Sequence, residues 1–472
     1  MSLATGSSPD AATEPTPEQE ARRRRTVAWV VALATLGLVF DGYDLVVYGT
    51  VVPLFLADPG EIGQVTPGVA GALGSYALFG VLVGALLAGS VADIVGRRKV
   101  MLTAYAWFSV GMGVTAMMNS IGGFGLMRFL TGIGVGALVA TTGALVAEYA
   151  PPGKKNLANA ITYSGVPIGS LLAALLAILL LGQIGWRGMF WIGALPLVTL
   201  LPLAVVKMPE SPSWLASRGR TEEARRLSER TGVPIVAASI AASGPAAAGA
   251  AAPVRRERAG FAGLFGRQYW FPTAVLGLMS ATGLILVYVL NTWLPELMGR
   301  AGYSTQGSLS FLLVLNGGAV VAALLASRLA DRFGPKMVVV GSFLFGAVGL
   351  LMLTVDAPLA LLLLFVAIVG AGTSGTQILI YGFVANYYRP NVRGAGVAWC
   401  AGFGRLGGVA GPLVGGLLVA AGLGLEAIFY VLTGLAALGA LLTLLVPVAR
   451  RSVVVRAVPV EPTVAPQPSA GR

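Results

Sequence analysis

At 472 residues, 56% hydrophobic, 11% charged and with a mean hydropathy of +0.81, the chain has too little charge to cover the surface of a water-soluble protein of its size. Its net charge of +12 raises nucleic acid as a partner, but the placement of the cations, nearly all on one side of a series of apolar runs, argues against one. There is no His, which excludes a His metal site, a His proton relay and any Ser/His or Cys/His nucleophile. The single Cys400 excludes an internal disulfide and reads as a small packed residue.

The first 25 residues are polar and end in Arg22-Arg23-Arg24-Arg25, which reads as a cytoplasmic tail before a first span. Twelve apolar runs come next, at about 27–52, 69–91, 100–118, 122–149, 157–181, 187–207, 271–293, 308–330, 337–355, 358–385, 394–420 and 424–447. Each is long enough to be a membrane helix. The stretch between 208 and 270 is long and basic, with Ala, Gly and Pro dominating 238–252, a linker composition, and a short charged helix is expected over Thr221–Arg230. The expectation is an all-α membrane protein of twelve transmembrane helices in two six-helix halves. It divides into an N-terminal tail (1–26), a first half (27–207), a linker loop (208–270), a second half (271–447) and a C-terminal tail (448–472).

Cations orient it. Of the 32 Lys and Arg residues, 28 fall in the two tails and the even-numbered loops, all on one side, so both termini and the linker are expected in the cytoplasm of a cell-membrane protein. The exceptions are Arg128 and Arg405 inside spans, and Arg187 and Arg300 at outer ends. The halves also repeat: Asp93 and Asp331, Gly96 and Gly334, Gly132 and Gly370, Gly134 and Gly372, Tyr149 and Tyr387 are each 238 apart. Parallel repeats of this kind place a substrate site at their interface near the midplane.

The first span holds Asp41 and Asp44. An ionisable residue at the centre of a span costs at least ~2.5 kcal/mol and is a functional hypothesis by default. At helical spacing both share a stripe with Tyr48. With no His, these carboxylates are the leading proton-coupling sites, with Glu148, before Pro151-Pro152, as a further one or as a gate partner of the basic loops. At ~1.5 Å per residue, Asp41, Asp44 and Arg128 fall at overlapping depths, so Arg128 is expected to pair with one of the two Asp. Arg405 lies near the midplane with no acid beside it in its own helix, and a guanidinium offers a planar fork to a carboxylate. Arg128 and Arg405, with Tyr288, Gln377 and Tyr381 for a ring and its hydroxyls, are the substrate-binding candidates. Gly402-Phe403-Gly404-Arg405-Leu406-Gly407 fits GxGxxG only formally, without a preceding strand, and no Walker sequence occurs, so neither a nucleotide nor ATP is implied.

Gly84–Lys99, with Asp93, Gly96, Arg97 and Arg98, resembles the loop motif of the major facilitator superfamily, and Asp331–Lys336 resembles its degenerate second copy, with Pro335 where an Arg would repeat Arg97. Pro209-Glu210-Ser211-Pro212-Ser213-Trp214-Leu215 resembles a motif of that superfamily's sugar porters and related metabolite symporters. Asp41-Gly42-Tyr43-Asp44 is similar to the first span of the aromatic acid:proton symporters. The resemblance implies alternating-access uptake of benzoate, a hydroxybenzoate or a similar aromatic carboxylate with protons, by a monomer in the bilayer with no cofactor beyond the proton. It implies spans 1, 4, 7 and 10 around the cavity, and Asp93, Gly96, Arg97, Arg98 and Asp331 as gating residues. The alternatives are uptake of another organic or sugar acid, export of a drug or product (Gly411-Pro412 resembles an antiporter motif, though in the wrong span), or a non-transporting sensor.

Overall fold

The computed structural model describes residues 16–151, 155–233 and 261–447. They are helical throughout, with no strand among them. The first half comprises α1 (Pro17–Ala57), α2 (Pro67–Val95), α3 (Arg97–Ala116), α4 (Ile121–Tyr149), α5 (Lys155–Tyr163), α6 (Gly165–Ala194) and α7 (Leu200–Lys207). Three short helices, α8 (Pro212–Ser217), α9 (Thr221–Thr231) and α10 (Phe261–Leu264), lead to the second half. That half comprises α11 (Trp270–Arg300), α12 (Thr305–Phe333), α13 (Pro335–Met352), α14 (Leu359–Gly372), α15 (Ser374–Tyr387), α16 (Pro390–Ala420) and α17 (Leu425–Leu445). Among the described residues, ten helical segments are long and apolar enough to cross a membrane.

Two boundaries differ from the expected ones, and a third falls where expected. Helix α1 begins within the expected tail, because Thr16 and Gln19 form a reciprocal capping box and Pro17 opens the first turn. The run at 358–385 divides at Thr373 into α14 and α15. The expected gap between the runs 157–181 and 187–207 is kept, since the helical stretch from Gly165 to Ala194 is broken at Gly185, whose φ of 64° takes it out of the helical region. The expected tail beyond 447 and the low-complexity stretch 238–252 lie outside the described residues.

The internal repeat is realised in contacts. Gly132 leaves no room for a Cβ against the Ala77 carbonyl, nor does Gly370 against that of Leu315; both pairs are 238 apart. Gly80 against Phe129 and Gly318 against Ala367 repeat it. Small residues let helix backbones approach closely where lipid supplies no hydrophobic drive between helices. Gly169 meets the Val39 carbonyl and Gly407 that of Ala281, so the offset becomes 242 between α1 and α11.

The two halves meet through α2 and α16, where Ser75 Oγ donates to the Val409 carbonyl at 2.6 Å, and through α1 and α11, where Gly49 rests on the Asn291 backbone. These contacts lie toward the end of the bundle that carries the 58–66 loop, here the far end. At the opposite, motif end, Gly96 (φ 108°) and Gly334 (φ 85°) turn the chain between helices. There, Arg98 Nη2 donates to the Val205 carbonyl at 2.7 Å, and Lys336 Nζ to those of Leu444 (3.0 Å) and Val446 (2.6 Å). Arg98 and Lys336 are 238 apart, and each anchors the last helix end of its half.

Candidate functional site

Of the two span-1 carboxylates, Asp44 is the one that Arg128 meets. Arg128 Nη1 of α4 donates to Asp44 Oδ1, with the two side chains 3% and 6% exposed. The guanidinium is caged by aromatic rings, 5.4 Å from the centroid of Tyr48 and 5.8 Å from that of Phe190. Arg128 Nε has no hydrogen-bond partner among the described residues. Tyr48 is fixed by donating to the Ala70 carbonyl at 2.6 Å, and Tyr43 by donating to that of Met189 at 2.8 Å. In a pair this buried, desolvation offsets much of the attraction, and removing one partner strands the other.

The expected stripe on α1 is therefore divided. Asp44 and Tyr48 turn into the first half toward Arg128, whereas Asp41 lies within electrostatic range of Arg405 of α16 without pairing with it directly. Asp41 is partly buried and makes no hydrogen bond among the described residues, and Arg405 is half-buried with no direct ion pair among them. Around these opposed charges stand three phenols. Tyr288 of α11 lies against Gly408 and Gly411 and within reach of Arg405, Asp41 and Tyr381. Tyr163 at the end of α5 is 40% exposed and shares the same neighbours. Gln377 is set deeper, 7% exposed, with Nε2 donating to Ser280 Oγ at 3.2 Å and no partner for Oε1 among the described residues.

The five substrate candidates are thus not one cluster. Arg405, Tyr288 and Tyr381 share the space with Asp41, Gln377 sits behind them in the second half, and Arg128 is committed to Asp44. Tyr163, Tyr48 and Phe190 are the additions. Tyr163 has no sequence signal beyond being an aromatic at the edge of an apolar run. Phe190 could be placed only once the Gly185 break set the register of the turns beyond it.

At the motif end Arg97 Nη2 lies 3.0 Å from Asp93 Oδ1, and Arg97 Nε lies 3.0 Å from Glu148 Oε1. Glu210 caps α3 there, its Oε1 accepting the Arg98 N–H at 3.0 Å, which suits a carboxylate at a helix N-terminus. Its own carbonyl accepts from Tyr149 Oη at 2.5 Å. Trp214 Nε1 and Arg218 Nη2 each donate to the Asp93 carbonyl at 2.7 Å. A Cβ on Gly96 would push the Glu210 carboxylate off its place at the α3 N-terminus, on top of the strain of a positive φ. The 209–215 segment thus clips onto the first-half motif and joins Asp93, Gly96, Arg97, Arg98 and Glu148 in one network. The side chain of Asp331 lies outside the described residues.

Residues 30–452 match the sugar (and other) transporter family. The chain belongs to that family, within the major facilitator superfamily. It is similar to the benzoate transport protein of Acinetobacter baylyi, 36% identical over 83% of each chain. It is also similar to the gentisate transporter of Corynebacterium glutamicum, 34% identical over 85% of this chain and 83% of that one. Among solved structures, the xylose transporter XylE from E. coli in a partially occluded inward-open conformation superposes with a TM-score of 0.69 at 20% identity, covering 90% of this chain and 98% of the other. The chain is accordingly a multi-pass membrane transporter and not an enzyme, and the relatives place it beside aromatic-acid transporters, as the first-span motif implied.

Proposed function

We propose that the chain takes up an aromatic carboxylate, benzoate, a hydroxybenzoate or a close relative, together with protons by alternating access. It works as a monomer in the cell membrane with both termini in the cytoplasm. Twelve spans support this reading: the ten apolar segments, the 20-residue α3, and the division of 157–207 at Gly185. The cation distribution supports the orientation with the motif end cytoplasmic. The aromatic acids named for the relatives support the substrate class.

The observation that carries the mechanism is the division of the two carboxylates: Asp44 is held by Arg128, while Asp41 is left unpaired within electrostatic range of Arg405. Asp41 and a substrate carboxylate then compete for one guanidinium. A proton on Asp41 removes its charge and releases the Arg405 fork to the substrate. Loading a proton and loading an anion thereby become one event, and the neutralised cavity crosses the membrane at lower cost. Tyr288, Tyr381 and Tyr163 offer ring faces and hydroxyls to the aromatic end of the substrate, and Gln377 braces that wall. The Asp44–Arg128 pair fixes the α1–α4 contact from which Asp41 projects. The network of Asp93, Gly96, Arg97, Arg98 and Glu148, with Asp331 at the corresponding point of the second half, holds helix ends together in one state and releases them in the other. The proton is the only coupling species invoked and no cofactor is needed. No step involves nucleic acid.

Uptake of labelled benzoate and hydroxybenzoates by proteoliposomes under an imposed pH gradient tests this reading. Accumulation should follow the gradient and be competed by ring acids. Accumulation indifferent to the gradient sinks the coupling, and competition by sugar acids alone sinks the substrate class.

A further inference from the structure

Where α1, α7 and α9 converge at the motif end they enclose a cavity of about 570 Å³. One wall is the Trp29 ring, with Lys207 Nζ 5.6 Å from its centroid. Two carboxylates reach the cavity, and both are occupied. Glu210 Oε1 accepts the N–H groups of Arg98 and Ser211, each at 3.0 Å, and Glu223 accepts two bonds from Arg220 at 2.8 and 2.5 Å. Two of the lining cations are occupied as well: Arg226 is paired with Glu222 at 3.1 Å, and Arg98 Nη2 is held by the Val205 carbonyl. Arg25, Lys207 and Arg230 are left, and none of the three has a carboxylate partner among the described residues.

The one carboxylate here without a cation of its own, Glu210, is held by neutral backbone N–H groups, so five cations face two carboxylates and the lining keeps a net positive charge that a multi-oxygen anion would offset. Phosphate suits the arrangement, since each Arg can present a planar fork and Lys a point charge. The surroundings indicate where the phosphate comes from. A Trp with a Lys over its face, at the ends of two apolar helices, marks the depth of lipid headgroups. We propose that this cavity binds the phosphate of an anionic lipid headgroup, tying the first turns of α1 to α9. The site is separate from the transport cavity and does not depend on the transport reading.

The test uses the full chain in phosphatidylcholine nanodiscs containing a minority of phosphatidylglycerol, with native mass spectrometry reading the lipid retained. Wild type and the exposed-charge control Lys99→Gln should retain phosphatidylglycerol over phosphatidylcholine, and Arg25→Gln/Lys207→Gln/Arg230→Gln should lose about tenfold of that retention. Equal retention of the two lipids, or retention unchanged in the triple variant, overturns the proposal. Should the triple variant not fold, Arg25→Gln and Arg230→Gln are read singly, each at exposed positions and each expected to lose about threefold. In a parallel arm, inorganic phosphate is added and the melting temperature is followed. A phosphate shift that the variants abolish while lipid retention stays equal assigns the cavity to a soluble phosphate and overturns the lipid source.

Discussion

The two halves are one design carried out with different chemistry. At the offsets of 242 and 238, Asp44 and Arg128 of the first half correspond to Leu286 and Val366 of the second, both fully buried. Arg405 corresponds to Pro167. The second half has no carboxylate in the middle of its apolar helices; Glu296, Asp331, Asp356 and Glu426 all stand near helix ends. The scaffold contacts, glycine on carbonyl and a cation on terminal carbonyls, are preserved in both. The ionic pair is therefore not a general demand of the repeated fold, since the corresponding positions of the second half carry two buried apolar side chains. On the proposed mechanism, the proton belongs to one half and the anion to the other, and neither half can work alone.

The sharpest way to break this comparison is to give the first half the second half's solution. Arg128→Met alone leaves Asp44 buried without its partner and should cost about 3–5 kcal/mol, read as thermal unfolding in detergent. Asp44→Leu/Arg128→Met, which copies the apolar arrangement, should regain most of that stability while transporting nothing. A double variant as unstable as the single one would show that the site is not interchangeable between the halves.

Next comes the second half's anion site. Arg405→Gln should reduce benzoate uptake about a hundredfold, equivalent to about 2.7 kcal/mol, with a melting temperature close to wild type because no described side chain pairs with it. A large loss of stability would recast Arg405 as a structural link. Asp41→Asn should abolish gradient-driven accumulation yet keep substrate exchange, measured as counterflow, because a neutral side chain no longer competes for Arg405. Exchange lost together with accumulation would place Asp41 in substrate binding instead.

The smallest effect separates the two turns. Gly334→Ala meets open space and bears only the strain of its positive φ, of order 1 kcal/mol. Gly96→Ala meets Glu210 as well and should cost more by unfolding. Equal losses would mean that the 209–215 clip adds nothing to the first half.

Much of this was legible in the residues. The repeat was visible because glycines are demanded where backbones touch, and that demand recurs at a fixed distance along the chain. The Asp–Arg128 contact followed from helix rise, since charges at one depth inside a bilayer have few partners. Which Asp it would be did not follow: Asp41 and Asp44 are three residues apart, and one helical step decides which half each faces. Phe190 did not follow either: the gap between the runs 157–181 and 187–207 marks where the helix breaks, but not the φ of Gly185 that sets the direction of the turns beyond it. The offset of 242 between α1 and α11 was hidden because it shows only in which carbonyl each glycine meets.

The far-end contact between the halves has a consequence for leak. Gly49 rests on the Asn291 backbone, Gly71 on the Pro412 carbonyl and Gly416 on that of Pro67, so main chain meets main chain with no side chain between. Surfaces that close leave no gap for a file of water molecules, and a proton cannot hop where there is no water to carry it. On the proposed coupling, a transporter fed by a proton gradient short-circuits its own supply if that end weeps, and a residue with no side chain is what makes the seam tight.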